Sequence, residues 1–163
     1  ERLLATPVRR WEIVLGYILG FGIFTIIQAA LIAWFSVHII HMMMVGSFIL
    51  VLIITFLTAM VALTMGTALS AFAENELQMI QFIPLIVVPQ VFFSGIFDMS
   101  TMASWLQVIG RFMPLYYSAD ALKQIMIRGK SLNSIWMDIF VLVGICIAFI
   151  ILNILALKKY RKI

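Results

Sequence analysis

Four apolar runs, each long enough to cross a bilayer as a helix, dominate this 163-residue chain. A helix needs about 20 apolar residues to cross the hydrocarbon core. Residues 13–37 form the first run, interrupted only by Tyr17, Thr25, Gln28 and Ser36. The second, 46–73, carries six Ser or Thr hydroxyls and no charge. A third, 79–97, holds Gln81, Pro84, Pro89, Gln90 and Ser94. The last, 135–157, has Asp138 near its start and Asn153 near its end. Inside lipid every backbone polar group must find a partner within the protein, and a helix achieves this alone. The expected fold is therefore an all-α membrane protein, a polytopic bundle of transmembrane helices.

Composition agrees with that reading. Hydrophobic residues make up 64% of the chain and charged residues 11%, with a mean hydropathy of +1.16. Soluble domains are typically about 45–50% apolar and about 25% charged. Too little polar surface remains to coat a water-soluble globule, which excludes a soluble enzyme, a disordered tail and a nucleic-acid-binding module despite the net charge of +4. The one cysteine, Cys146, excludes a disulfide framework and a multi-thiolate metal site. The chain opens on Glu1 with a charged segment and a run too long for a signal peptide. It is expected to be a piece of a longer protein or a processed form.

An even number of spans puts both ends on one side. Arg2, Arg9 and Arg10 flank the first run, and Lys158, Lys159, Arg161 and Lys162 follow the last. Against these seven, the loop near 37–46 has no Lys or Arg, and residues 98–134 have four, Arg111, Lys123, Arg128 and Lys130. Positive charge favours the cytoplasm, so both termini are expected there, with 98–134 outside.

Residues 98–134 are too polar to span and too apolar for an ordinary loop. Ser100 or Thr101 is placed to cap a short helix reaching about Phe112, with Trp105, Leu106, Ile109 and Phe112 on one side. Pro114 breaks it. Ser118 is expected to cap a second helix, with Asp120 in its first turn, Lys123 and Arg128 towards its end, and Gly129 as a left-handed terminator. Two short amphipathic helices suggest a hairpin lying in or dipping into the membrane interface; a solvated loop with two helical turns is the plainer reading. Residues 1–11 are the other amphipathic piece. Leu3 and Leu4 supply its apolar side, Thr6-Pro7 a turn or helix start, and Arg9-Arg10-Trp11 an interfacial anchor.

Several constellations resolve into structural roles. Gly129-Lys130-Ser131 has the form of the end of a phosphate-binding loop, but position 124 is Gln124 where that loop needs glycine, and no strand precedes it. Ser94 has no base placed near it by sequence, which leaves His38 and His41 without a catalytic partner. His38-x-x-His41 before Met42-Met43-Met44 has soft-metal ligand types at a spacing that shares a helical face, although a span end is also where amphipathic rings settle. Asp138 reads as an acid near the outer headgroups, favoured by the helix dipole. Gly16-x-x-x-Gly20 and Ala62-x-x-x-Gly66-x-x-x-Ser70 offer close helix packing. No metal or cofactor is expected.

Three segments in order resemble the type 2 ABC exporter permease family. Glu1-Arg2-Leu3-Leu4-Ala5-Thr6-Pro7-Val8 resembles its cytoplasmic "E-R/K … L-x-x-T-P-V" element. Phe93-Ser94-Gly95-Ile96-Phe97 is similar to its "SGIF" stretch, and Pro114-Leu115-Tyr116-Tyr117-Ser118-Ala119-Asp120-Ala121-Leu122-Lys123 with Gly129 to its "P-L-x-Y-x-x-D/E-A-L-R/K … G" segment. One departure is visible, since the family often has Gly-Thr where Leu3 here follows Arg2 directly. The resemblance covers essentially the whole chain as the last four of six spans, in a single transmembrane domain.

It implies an N-terminal cytoplasmic coupling helix (Glu1, Arg2, Leu3, Leu4, Thr6, Pro7, Arg9, Arg10), a second cytoplasmic contact at Glu74 and Glu76, and an extracellular re-entrant hairpin. Ser94, Gly95, Pro114, Tyr116, Asp120 and Gly129 mark that hairpin. The implied function is the non-catalytic permease of an ATP-driven exporter in the cytoplasmic membrane, moving an apolar or amphipathic drug, lipid, peptide or polysaccharide. Its implied partners are an ABC ATPase subunit or domain, a second permease half as homo- or heterodimer, and the lipid bilayer. An ATPase-independent channel or scaffold bundle is the alternative.

Overall fold

A computed structural model describes residues 10–73, 75–97 and 102–159. Six helices follow one another: α1 (Arg10–His38), α2 (Phe48–Phe72), α3 (Glu76–Val91), α4 (Ser104–Gly110), α5 (Pro114–Met126) and α6 (Leu132–Lys159). Four stretches are long and apolar enough to cross a membrane: Trp11–His38, Phe48–Phe72, Glu76–Ile96 and Leu132–Ala156. The expected runs match these within a few residues. The third begins earlier than hydropathy suggests because the Asn75 side chain caps it, accepting from the Gln78 N–H at 2.8 Å, with Glu76 in the first turn.

α2 is the central helix, packed against α1, α5 and α6. Its buried residues Val51, Ile54, Val61, Thr64 and Ala68 recur at helical spacing and form a continuous inner face. Ala33 from α1, Ala121 and Ile125 from α5 and Ile135 from α6 close on its first turns. α1 meets α2 along a narrow stripe of Val14, Ile18, Ala29 and Ala33, leaving most of its circumference exposed. The stripe runs through Gly22, whose absent Cβ would touch Met60 Sδ at 4.0 Å. Gly16 and Gly20 face open space, and so does Gly66. The expected packing role of those two motifs is therefore not realised among the described residues. The cause is angular: the stripe that meets α2 is offset around α1 from the Gly16–Gly20 face.

In lipid, helices gain little from apolar association, so polar side chains add specific ties. Asn153 on α6 donates to the Thr64 carbonyl of α2 and to the Phe149 carbonyl of its own helix, each at 2.9 Å. Among the described residues no buried side-chain polar atom lacks a hydrogen-bond partner. α3 differs from its neighbours. Only Gln90 is buried on it, while Leu77, Ile80, Ile83, Leu85, Val87 and Val88 are exposed. Pro84 and Pro89 lie inside it.

Candidate functional site

The region built around α5 gathers the sequence-predicted hairpin residues. α3 ends in a π turn, Phe92–Ile96, in which Gly95 adopts φ 82° and ψ 22°. That left-handed geometry suits glycine. Phe97 is extended, so the chain leaves the helix sharply there. The Ser94 hydroxyl donates to the Val91 carbonyl at 2.7 Å, within the turn.

α5 starts at Pro114, at the first helical position, with Met113 as the flanking residue. Proline suits that position because its missing N–H would have no helical acceptor there and its φ is already helical. Ser118 is not the cap that its sequence position suggests. It is buried one turn inside the helix, donating to the Pro114 carbonyl at 3.3 Å and accepting from Thr58 of α2 at 2.7 Å. Asp120 consequently sits in the second turn rather than the first. α4 starts after Ala103, without a side-chain cap, and the expected caps Ser100 and Thr101 lie outside the described residues. Trp105, Ile109 and Phe112 are exposed.

Beyond α5, Gly129 has φ 60°, the left-handed terminator expected from sequence. Its N–H reaches the Ile125 carbonyl at 3.1 Å, and the Lys130 N–H reaches the Gln124 carbonyl at 3.0 Å. The segment between α1 and α2 docks on this helix end. Val45 N–H donates to the Met126 carbonyl at 2.9 Å, and a Cβ on Gly46 would run into the Ile125 carbonyl oxygen. Nothing in the sequence signals this clasp, because Val45 and Gly46 lie in a connection without periodicity, about 80 residues from the helix end they meet.

Ser94, Gly95, Tyr116 and Asp120 are brought to one cavity of about 350 Å³, together with Lys123. The Lys123 ammonium donates to the Gly95 carbonyl at 2.6 Å, tying α5 to the π turn. Gln124, buried beside them, donates to Asp120 at 2.6 Å and accepts from Lys130 at 3.4 Å. Tyr116 packs edge-on against Tyr117, whose hydroxyl donates to the Arg111 carbonyl at 2.9 Å. Burial, and then the neighbouring Tyr116, push the Tyr117 hydroxyl above its ordinary pKa, so it remains a neutral donor.

Asp138 departs from expectation. α6 begins at Leu132, three residues before the apolar run, so Asp138 lies in the second turn rather than the first and is buried among side chains, 8% exposed. The histidine pair also separates. α1 ends at His38, which stacks on Trp34 at 5.5 Å, while His41 lies past the helix end with φ 54°. The two do not share a helical face, and among the described residues no group of three His, Cys, Asp or Glu could hold a metal.

Of the remaining expected residues, Glu76 and the backbone of Arg10 lie at the far end of the bundle. There the start of α1, the end of α2 and the end of α6 meet around Ile13, Tyr17, Thr67, Ala71 and Asn153. Glu76 is exposed at the first turn of α3, separated from the end of α2 by three residues of chain. Residues 1–9, which contain Glu1, Arg2, Leu3, Leu4, Thr6, Pro7 and Arg9, lie outside the described residues, as do Glu74 and the side chain of Arg10.

Comparison with known proteins places this geometry in context. The family described as "ABC-2 type transporter" matches residues 1–127. ABC transporter G family member 20 of Dictyostelium discoideum is 25% identical over 165 residues, covering 99% of this chain and 23% of that protein. The chain thus spans about a quarter of the length of that relative. No solved structure matches.

Proposed function

This chain belongs to the ABC-2 type transporter family and is a multi-pass membrane protein; from that premise we propose that it is the membrane-spanning, non-catalytic part of an ATP-driven exporter in the cell membrane. The match over residues 1–127 is the observation that carries the reading. The four-span segment acts as one transmembrane domain with both ends cytoplasmic, consistent with seven Lys and Arg flanking those ends against four in residues 98–134. On this orientation the α4–α5 hairpin and the 39–47 segment form the outer rim, marked by Ser94, Gly95, Pro114, Tyr116, Asp120 and Gly129.

Residues 1–10 then form a coupling helix facing the ATPase. Leu3 and Leu4 fill an apolar groove on that partner, and Arg2, Arg9 and Arg10 meet its carboxylates. Glu74 and Glu76 add a second contact from the α2–α3 connection, which lies at the same end of the bundle as the start of α1. ATP binding shifts the equilibrium between two arrangements of the spans only through different affinity for them. The coupling helix is the rigid element through which that difference reaches the bundle. Two such permease halves, alike or different, alternate access for an apolar or amphipathic drug, lipid, peptide or polysaccharide. ATP hydrolysis takes place on a separate subunit or domain.

Purification of the full-length protein under mild conditions tests this. An ATP-hydrolysing partner or domain should accompany it, and substrate flux should require hydrolysis. Flux through reconstituted vesicles without any ATPase would favour an unassisted channel and overturn the exporter reading.

A further inference from the structure

Asp120 and Lys123 lie three residues apart on α5, a spacing at which opposite charges on a helix ordinarily pair. Here each is engaged elsewhere. The Lys123 ammonium is drawn across to the Gly95 carbonyl, and the Asp120 carboxylate is held by the Gln124 amide, itself polarised by Lys130. An ammonium has three N–H donors and an ionised carboxylate about four acceptor positions. Lys123 therefore keeps two donors, and Asp120 keeps several acceptor sites. Both line the same cavity of about 350 Å³, which falls within the range of ligand sites of about 300–1,000 Å³.

The rest of the lining fits one class of ligand. Ser94 and Tyr116 contribute hydroxyls, and Tyr116 also brings an aromatic ring. Ile96 and Phe97 form one side, with 68% and 50% of their surfaces exposed. The cavity sits where the candidate span Glu76–Ile96 ends, beside the helix that packs on the first turns of α2 and α6. The end of a span is where charged headgroups meet acyl chains. A lone anion there is attracted by Lys123 and repelled by Asp120, and a lone cation meets the reverse. A ligand carrying both charges satisfies both residues.

We propose that this cavity binds the headgroup of a zwitterionic phospholipid. The phosphate takes the free N–H donors of Lys123. The ammonium lies between the Asp120 carboxylate and the Tyr116 ring, a favourable cation–π position. The acyl chains leave over Ile96 and Phe97. The assignment concerns equilibrium binding and stands apart from the transport reading.

The test is native mass spectrometry of the full-length protein with an equimolar mixture of phosphatidylethanolamine and phosphatidylglycerol of identical chains. The wild type should retain phosphatidylethanolamine in preference. Lys123→Gln should lower that retention about tenfold, and Lys123→Arg should preserve it. Asp120→Asn keeps an oxygen for Gln124 but removes the negative wall, so its preference should turn to phosphatidylglycerol. Equal retention of the two lipids by the wild type, or an unchanged preference in Asp120→Asn, would overturn the proposal. Glycerophosphoethanolamine carries the same charges without acyl chains and should displace little of the lipid at equal concentration. Full displacement would show a site for a soluble phosphate ester and refute the lipid assignment.

Discussion

Replacing Gly129 with alanine should destabilise the protein through two separable costs. The first is backbone strain, because Gly129 holds φ 60° and a left-handed L-residue costs about 1–2 kcal/mol. The second is space. A Cβ at this position would lie 2.9 Å from Val45 Cγ1, well inside the ordinary separation of about 3.5–4.0 Å between carbons. Val45 is β-branched and its N–H is bound to the Met126 carbonyl at 2.9 Å, but its side chain is 62% exposed and can yield in part. The overlap therefore costs about 1 kcal/mol, the low end of the range for overpacking a core. The sum is about 2–3 kcal/mol, and at about 2–4 °C per kcal/mol for a chain of this size the melting temperature in detergent should fall by at least about 4 °C. Val45→Ala removes the overlapping carbon, so the double variant should lose less than the two single losses added together, by about 0.5–3 kcal/mol. Gly129→Asn should retain the overlap and less of the strain, since asparagine visits this region more readily, and so melt between wild type and Gly129→Ala. An unchanged melt for Gly129→Ala, or strict additivity in the double variant, would refute the clasp.

Three further outcomes follow from the structure and the proposed function. Asn153→Leu removes the tie between α6 and α2; interhelical hydrogen bonds in membranes average about 0.6 kcal/mol with a maximum of about 1.7, so a thermal melt should show a loss inside that bound. In the full-length protein with its ATPase, Leu3→Ala combined with Leu4→Ala should uncouple export from hydrolysis at normal expression, whereas Arg9→Ala should do less because exposed rim charges contribute less than buried anchors; wild-type export from the double variant would move the contact to Glu74 and Glu76. In a Cys146→Ser background, cysteines at Ser131 and at Lys159 should differ in labelling by an impermeant thiol reagent, with Ser131 reached from outside; equal labelling would overturn the orientation.

Much of the architecture was legible because hydropathy is a sum over many residues. The four candidate spans required only run length, and Gly129 was readable locally as a left-handed terminator, whereas the Asn75 cap that starts α3 early was not. What sequence could not supply was rotation about each helix axis. Gly16 and Gly20 carry the familiar close-packing spacing, yet α2 meets α1 on the face of Gly22, Ala29 and Ala33. Choosing between the two faces depends on the partner helix. The start of α5 failed for a different reason. Serine competes for cap positions, and Ser118 looked eligible, but Pro114 four residues earlier already had the geometry of a first helical residue and left Ser118 free to bond Thr58. Of the cavity, Ser94, Gly95, Tyr116 and Asp120 were singled out from the family resemblance. The reach of Lys123 across to Gly95 spans 28 residues of sequence and is a property of the folded chain alone.

The sparse cover on α3 has a mechanical consequence. The helix is pinned at one end by the short connection from α2 and at the other by Lys123 on the Gly95 carbonyl and Gln90 against Met65, while its middle touches little of this chain. Pro84 and Pro89 have no N–H to offer the carbonyls of Ile80 and Leu85, so two rungs of the hydrogen-bond ladder are missing from this stretch. Such an element behaves as a strut loaded between two plates. Its 21 residues measure about 31 Å at 1.5 Å per residue, and a jointed strut of about that length bows sideways by about 4 Å when its ends approach by only about 1 Å. A small axial displacement at either end of the bundle is thereby converted into a larger lateral one at mid-membrane, on the exposed face of Ile83 and Val87.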